Sequence, residues 1–218
     1  MRNRLNTMLD TLNSELITMA SMCEEAIENA MKAFESHDLE LADTVVDNDL
    51  RINEKERRIE SLCLTIILHQ QPIAHDLRMV SAALKMITDI ERIGDHASDI
   101  ADIVKNLKFN QFYEEQNQIK SMAEETILML KKVINSFIDI DLETAKKTFD
   151  NDDIIDNKFT EIKNSLIAHI KTQENADDAL DLFMITKYLE RIGDHTCNIA
   201  GRVICALDDD YQPQQEQA

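Results

Sequence analysis

One hexapeptide, ERIGDH, occurs twice in this chain, at residues 91–96 and again at 190–195. A second pair of similar segments, HDLELADTVVDND and IDLETAKKTFDND, begins at residues 37 and 140. The second pair is offset by 103 residues (140 − 37) and the hexapeptide by 99 (190 − 91). Identity over six consecutive residues is poorly explained by chance, and an internal repeat is typical of a repeated structural unit. We therefore predict two copies of one unit, with the four-residue difference (103 − 99) absorbed in a loop.

Each unit is predicted to consist of long helices. The 218 residues include only three glycines and two prolines, and so few helix breakers among many strong helix formers favour helix over sheet. Three helices in each half, joined by short connections, predict an all-α fold of two tandem antiparallel three-helix bundles. Apolar residues at helical spacing place these six helices at roughly 5–35, 39–69, 72–108, 113–138, 142–171 and 176–207.

Polar segments between the helices set the expected boundaries. We expect a first bundle over residues 1–109, a second over 110–208, and a frayed polar tail over 209–218. The segment FNQF separates the two bundles. Asp38 is expected to cap the second helix, and Pro72 to lie in the first turn of the third.

Acidic residues outnumber basic ones by 42 to 23, which gives a formal net charge of −19. Such a surface repels nucleic acid and anionic lipid and favours cations or basic partners, although solubility alone explains many acidic proteins. No segment approaches the length of an uncharged apolar span, and no apolar stretch follows the basic N-terminal residues, so neither a membrane span nor a signal peptide is expected. The four cysteines lack paired spacing and are expected to be buried and reduced, as in a cytoplasmic protein.

The repeated hexapeptide belongs to a pattern of acidic pairs. Residues four apart lie on one face of a helix, about 5–6 Å from each other, and each half has one such oxygen-bearing pair on its second helix and one on its third. The four pairs are Asp49 with Asn53, Glu91 with Asp95, Asp152 with Asp156, and Glu190 with Asp194. If the two helices pack together, four side chains converge in each half. Clustered carboxylates repel unless a cation bridges them, and oxygen ligands suit hard cations as well as iron or manganese.

The hexapeptide is costly for a helix. Like charges four apart destabilise a helix by a few tenths of a kcal/mol, and an internal glycine costs about 1 kcal/mol relative to alanine. Gly94 and Gly193 are nevertheless two of the three glycines in the chain. A glycine at this position permits the close approach of a neighbouring helix, which gives it a structural reason.

Two interpretations of the acidic face remain open from the residues alone. One is a metal site, and the other is a salt-bridge network in which Arg92 and Arg191 pair with acids on neighbouring helices. His96 and His195 follow the motif acids directly. They are candidate ligands, but histidines in such positions are more often satisfied surface or interface residues.

The chain resembles the PhoU family of phosphate-uptake regulators. The resemblance is carried by QQPIAHDLRMVSAALKMITDIERIGDHASDIA at 70–101 and MITKYLERIGDHTCNIA at 184–200, together with DNDLRIN at 47–53 and DNDDIID at 150–156. It covers nearly the whole chain and includes the internal duplication. It implies two tandem three-helix bundles that associate as homodimers, with multinuclear iron or zinc bound on the bundle surfaces by E(D)xxxD motifs.

The resemblance also implies which residues hold the metal. The motifs correspond to Glu91 and Asp95, to Asp152 and Asp156, and to Glu190 and Asp194. Asp49 occupies its motif position, but Asn53 departs from the pattern, and an amide oxygen is a weaker ligand than a carboxylate. We therefore expect the half that contains Asn53 to bind metal less well.

In function, the resemblance implies a negative regulator of phosphate-responsive genes. Such a protein is a cytoplasmic adaptor between the ATPase of a Pst-type phosphate ABC transporter and a phosphate-sensing histidine kinase, and it reaches the membrane only through these partners. The sequence contains no Gly-rich phosphate loop, CxxC pair or Ser/His/Asp order, which agrees with a non-enzymatic role. Two alternatives stay open: a metal-dependent hydrolase or oxidase, which needs an open coordination position, and a metal-free structural helical protein.

Overall fold

The computed structural model describes residues 2–107, 113–150, 152–171 and 176–208, and within these ranges the chain is helical with no strand. The all-α prediction is therefore confirmed. The helices are α1 (Arg2–Ser36), α2 (Leu39–Gln70), α3 (His75–Val104), α4 (Tyr113–Ile138), α5 (Leu142–Asp150), α6 (Asp152–Lys171) and α7 (Ala176–Leu207).

The helices form two antiparallel bundles. In the first, α1, α2 and α3 pack on one another, and in the second α7 packs on α4, α5 and α6. The predicted fifth helix corresponds to α5 and α6, which flank residue 151, a position outside the described residues. The FNQF segment at 109–112, the boundary drawn there and the tail at 209–218 also lie outside the described residues. The two bundles meet where α3 packs on α7 and α1 packs on α4.

Equivalent aspartates begin the second helix of each bundle. Asp38 Oδ1 accepts a hydrogen bond of 3.0 Å from the backbone N–H three residues further on, as predicted. Asp141, at the equivalent position 103 residues later, makes the same 3.0 Å bond. Each side chain satisfies one of the backbone donors that the first turn of a helix leaves unpaired.

The helices that precede these caps end in a left-handed residue. His37 and Ile140 have φ angles of 55° and 57°. The residue after each donates its backbone N–H to the carbonyl five residues earlier, at 3.1 Å and 2.9 Å. This is the bonding of a Schellman termination, which usually places glycine at the left-handed position. The chain uses a histidine and a β-branched isoleucine there instead.

The third helix begins later and ends earlier than predicted. Pro72 lies in the connection before α3, and not in its first turn. Gln71 and Ala74 both have positive φ angles, of 48° and 45°, which interrupt the helical path on either side of the proline. At the other end, residues 106 and 107 donate to carbonyls three residues earlier, so the helix closes in a tighter turn after Val104.

Two glycines allow close packing beneath the acidic faces. A Cβ atom added to Gly94 would lie 2.8 Å from Cδ1 of Ile52 on α2 and 3.1 Å from its Cγ2. A Cβ atom added to Gly193 would lie 3.1 Å from Cγ2 of Ile155 on α6. These separations confirm that glycine permits close helix approach at both positions. Because both contacts join the second and third helices of a bundle, these two helices lie close together beneath the acidic pairs.

The cysteines follow the prediction at three positions of four. Cys23, Cys63 and Cys197 are buried free thiols, but Cys205 is exposed. Cys205 is next to the buried Ala206 and Ile204, near the end of α7, and faces away from the core. None of the described helices combines the length and apolar character needed to cross a bilayer.

Candidate functional site

The first cluster consists of Asp49 and Asn53 on α2 with Glu91 and Asp95 on α3. Burial raises the pKa of Asp49, and the charge of Asp95 on the facing helix raises it further. Burial raises the pKa of Glu91 as well, again with help from the Asp95 charge. The two helices therefore bring these side chains into one electrostatic environment, as the sequence predicted.

Two oxygens of the first cluster have no partner. Asn53 Nδ2 donates a 3.1 Å hydrogen bond to Asp49 Oδ2. The other oxygens of the pair, Asp49 Oδ1 and Asn53 Oδ1, are buried and accept no hydrogen bond from the described residues. A buried acceptor left in this state costs about 1–3 kcal/mol. A bound cation would satisfy such an oxygen.

Two further acids extend the first cluster. Asp99 lies one turn beyond Asp95, and its charge raises the pKa of Asp49 and of Asp95 after the effect of burial. Glu56 contributes to the raised pKa of Glu91.

Arg92 pairs within its own helix rather than across to a neighbour. Its guanidinium lies 3.3 Å from Asp95 and 3.6 Å from Glu91. The alternative interpretation, in which Arg92 pairs with acids on a neighbouring helix, does not describe this residue. Arg92 instead reaches acids one residue before it and three residues after it on its own helix. The pair is exposed, with more than half of the Arg92 side chain in solvent.

The second cluster consists of Asp152 and Asp156 on α6 with Glu190 and Asp194 on α7. Burial, followed by the charges of Glu190 and Asp152, raises the pKa of Asp194 to about 6. Burial raises the pKa of Asp152 too, although a hydrogen bond from the Cys197 thiol opposes the increase. Four carboxylates thus share this surface, in line with the predicted grouping.

The second cluster also contains a cation of its own. Lys187 Nζ donates a hydrogen bond to Glu190 and lies 5.2 Å from the centre of the Phe159 ring. Phe159 stands 103 residues after Glu56, so the second half has an aromatic ring where the first has a carboxylate. The ammonium group partly neutralises the second cluster, whereas the cation beside Glu91 and Asp95 in the first is the exposed Arg92. The sequence analysis missed Lys187, although its place three residues before Glu190 was a readable signal.

The donor sets of both clusters fit a hard cation or iron, since they consist of carboxylate and amide oxygens on adjacent helices. Over the ranges described, no group of three or more His, Cys, Asp or Glu side chains forms a ready-made metal site. Metal binding would therefore require rotation of these side chains.

The motif histidines lie at the seam between the two bundles. The ring centres of His96 and His195 are 5.5 Å apart. His195 Nδ1 lies 3.0 Å from Asp89 Oδ1, and the ring of Tyr188 lies 5.4 Å from that of His96. Asp89 and Tyr188 are equivalent positions, offset by 99 residues, so the two sides of the seam differ chemically. The sequence analysis missed both residues because they precede the identical hexapeptides.

Comparison with known proteins gives a consistent result. The chain matches the family model of the PhoU domain over residues 16–104 and again over 119–203. A phosphate-specific transport system accessory protein PhoU homolog from Clostridium acetobutylicum is 34% identical over 198 residues, which span 90% of this chain and 90% of that protein. The phosphate-specific transport system accessory protein PhoU of Escherichia coli is 30% identical over 198 residues, which span 90% of this chain and 82% of that protein.

Solved structures share the fold. The crystal structure of the phosphate transport system regulatory protein PhoU from Streptococcus pneumoniae superposes with a TM-score of 0.89 at 26% identity, covering 96% of this chain and 100% of that one. The crystal structure of PhoU from Pseudomonas aeruginosa gives a TM-score of 0.87 at 28% identity, covering 93% and 98%. The tandem arrangement of the bundles is therefore shared with proteins of known structure.

Proposed function

The chain belongs to the PhoU family, and we propose that it is a negative regulator of phosphate uptake and of phosphate-responsive gene expression. It acts as a non-enzymatic cytoplasmic adaptor between the ATPase of a Pst-type phosphate ABC transporter and a phosphate-sensing histidine kinase. The observation that carries the proposal is the match of both halves to the PhoU domain. It is supported by relatives named as accessory proteins of a phosphate-specific transport system.

Deletion of the gene in its own organism tests this role. We expect genes of the phosphate-starvation response to be expressed in phosphate-rich medium and the wild-type gene, supplied in trans, to restore repression. Repression that persists in the deletion strain would show that the regulatory role is wrong. Purification from the membrane fraction of cells with and without the transporter then tests whether the adaptor reaches the membrane through that partner.

We further propose that both carboxylate clusters bind metal, with iron in a multinuclear site or zinc as the candidates. Asp49, Asn53, Glu91 and Asp95 would hold it in the first cluster, and Asp152, Asp156, Glu190 and Asp194 in the second. Burial first, and then repulsion between carboxylates, raises the pKa of Asp49, Glu91 and Asp194, and the positive charge of a metal would offset both effects. Elemental analysis of protein purified without chelator, and again after reconstitution, tests the proposal, and metal-free protein in both cases would contradict it.

The order of affinity between the clusters remains a prediction, and two observations favour the reverse of the sequence-based order. The first cluster has two unpaired buried oxygens, and the second has Lys187 bonded to Glu190. We expect Lys187→Met to tighten metal binding at the second cluster about tenfold, because it removes a competing charged hydrogen bond. Isothermal titration with zinc measures this change. An unchanged affinity would show that Lys187 does not compete.

The alternative function of a metal-dependent hydrolase has a direct test. A hydrolase would turn over phosphate esters when loaded with metal and lose that activity on substitution of Asp194 by alanine. Turnover of this kind would replace the adaptor by an enzyme.

A homodimer is also part of the proposal, and light scattering during size-exclusion chromatography measures the mass of the particle directly.

A further inference from the structure

The two bundles differ at one ionic contact between their first and second helices. In the first bundle, Lys55 Nζ lies 2.7 Å from Glu15 Oε2, and both side chains are mostly buried. The second bundle is equivalent at an offset of 103 residues, which pairs the buried Leu16 with Ile119 and Phe34 with Phe137. This offset places a glutamine and a lysine at the positions of Glu15 and Lys55.

Those residues are Gln118 on α4 and Lys158 on α6, and the ion pair is lost because the carboxylate is now an amide. Lys158 Nζ donates a 2.8 Å hydrogen bond to Ser121 Oγ. Its ammonium has no carboxylate within 4.0 Å among the residues that the structure describes. Gln118 Oε1 is buried and accepts no hydrogen bond from any described residue. The second bundle thus retains the lysine of the ion pair, and the residue at the glutamate position has a buried oxygen without a hydrogen bond.

Gln118 and Lys158 line a groove between α4 and α6. The groove encloses about 280 Å³, close to the lower end of the range of roughly 300–1,000 Å³ that small-molecule sites occupy. Its polar lining consists of Glu114, Asn117, Gln118, Ser121, Lys158 and Glu161. One cation, two carboxylates, two amides and a hydroxyl therefore face the same space.

The chemistry of the lining selects the ligand. Lys158 and the hydroxyl of Ser121 can donate to a ligand carboxylate in the groove. The unpaired Gln118 Oε1 requires an N–H donor. Glu114 and Glu161 attract a positive group and repel a second anion. A ligand that carries a carboxylate beside an N–H group meets all of these requirements.

We propose that the α4–α6 groove binds a carboxylate with an adjacent N–H donor, the group found in a free amino acid and in the C-terminal residue of a peptide. The assignment is independent of the regulatory function and of the metal clusters. Its failure would leave both of those proposals standing.

Nuclear magnetic resonance of the ¹⁵N-labelled full chain provides the test. The probes are glycine, N-acetylglycine, acetate and inorganic phosphate, each titrated separately to tens of millimolar. We expect glycine or N-acetylglycine to shift the amide signals of the groove residues, and acetate to bind about tenfold more weakly because it leaves Gln118 unpaired. Tighter binding of glycine identifies a free amino acid, and tighter binding of N-acetylglycine identifies a peptide terminus.

The internal repeat supplies the variants. Gln118→Glu rebuilds the ion pair of the first bundle and should weaken binding about tenfold or more, while unfolding by far-ultraviolet circular dichroism remains cooperative. Lys158→Met removes the cation and should have the same effect. Glu15→Gln alters the first bundle only and should leave the titration of the α4–α6 groove unchanged.

Four results would overturn the proposal. They are equal binding by Gln118→Glu or Lys158→Met and wild type, binding of acetate as tight as that of the better of glycine and N-acetylglycine, binding of phosphate in preference to both of these, and no signal change with any probe.

Discussion

Replacement of each glycine by alanine tests whether close helix packing explains the glycines of the repeated hexapeptide. In a helix with open space around it, alanine is more favourable than glycine by about 1 kcal/mol. A methyl group forced into a filled core instead costs about 1–3 kcal/mol. The three glycines of this chain provide a graded series between these limits, because the added Cβ atom meets its nearest neighbour at a different distance in each case.

The expected order follows from those distances. At Gly201 the nearest atom, in the ring of Phe149, is 3.8 Å away, so alanine should stabilise the chain by up to about 1 kcal/mol. At Gly193 the 3.1 Å contact with Ile155 should cancel most of that gain. At Gly94 the contact of 2.8 Å falls on Ile52, which is 2% exposed, and alanine should destabilise by about 1 kcal/mol net.

Thermal and urea unfolding, followed by circular dichroism, measure the series. A change of 1 kcal/mol moves the midpoint temperature of a chain of this size by about 2–4 °C. Ile52→Val removes the Cδ1 atom that lies 2.8 Å from the added methyl. Ile52→Val alone should cost about 0.5–1.5 kcal/mol, and it should cost less in the Gly94→Ala background. Equal effects of all three alanines, or additive effects of the Gly94 and Ile52 substitutions, would refute the packing argument.

Three further predictions concern single positions. The pKa of Asp194 is raised from 3.8 to about 6, so its ionised form is disfavoured in the fold, and stability falls as the pH rises between these values. In metal-free protein, Asp194→Asn should therefore raise the midpoint temperature of unfolding by about 2–4 °C at neutral pH and leave it unchanged below about pH 3.8. Differential scanning calorimetry at both pH values measures this difference. Ile140→Gly should stabilise the chain by about 1 kcal/mol in urea unfolding, because glycine adopts the left-handed conformation without strain; a loss of stability would contradict this. Asp141→Ala should cost about 1 kcal/mol in the same assay, since it removes the cap of α5, and no loss would show that the cap is dispensable.

The parts of the molecule that the sequence predicts are those governed by local spacing. The Asp38 cap depends on a hydrogen bond three residues away, and the pairing of Glu91 with Asp95 depends on helical periodicity. The glycine contacts could also be anticipated, because a costly residue repeated at equivalent positions points to a steric requirement. These features need no knowledge of how the remaining helices are placed.

The features that the sequence did not predict depend on rotamers and on tertiary neighbours. The chain enters α3 through Gln71 and Ala74 at positive φ, a conformation that neither residue favours by itself. One of the two open interpretations paired Arg92 with another helix, but its guanidinium lies against acids on its own helix. The orientation of Asn53, which donates its amide N–H to Asp49 and leaves its oxygen unpaired, is decided by the packed pair rather than by either residue.

The seam between the bundles has a consequence for how such a protein can evolve. In a dimer of identical three-helix chains, a substitution beside the two-fold axis would appear on both sides at once. Here the equivalent positions carry Asp89 on one side and Tyr188 on the other. His195 therefore meets a carboxylate of the opposite bundle, whereas His96 meets the ring of Tyr188 there and a carboxylate, Asp99, only on its own helix. Covalent fusion of the two copies lifts the symmetry constraint. Each half can then acquire its own affinity and its own partner by single mutations, while the shared backbone preserves one architecture.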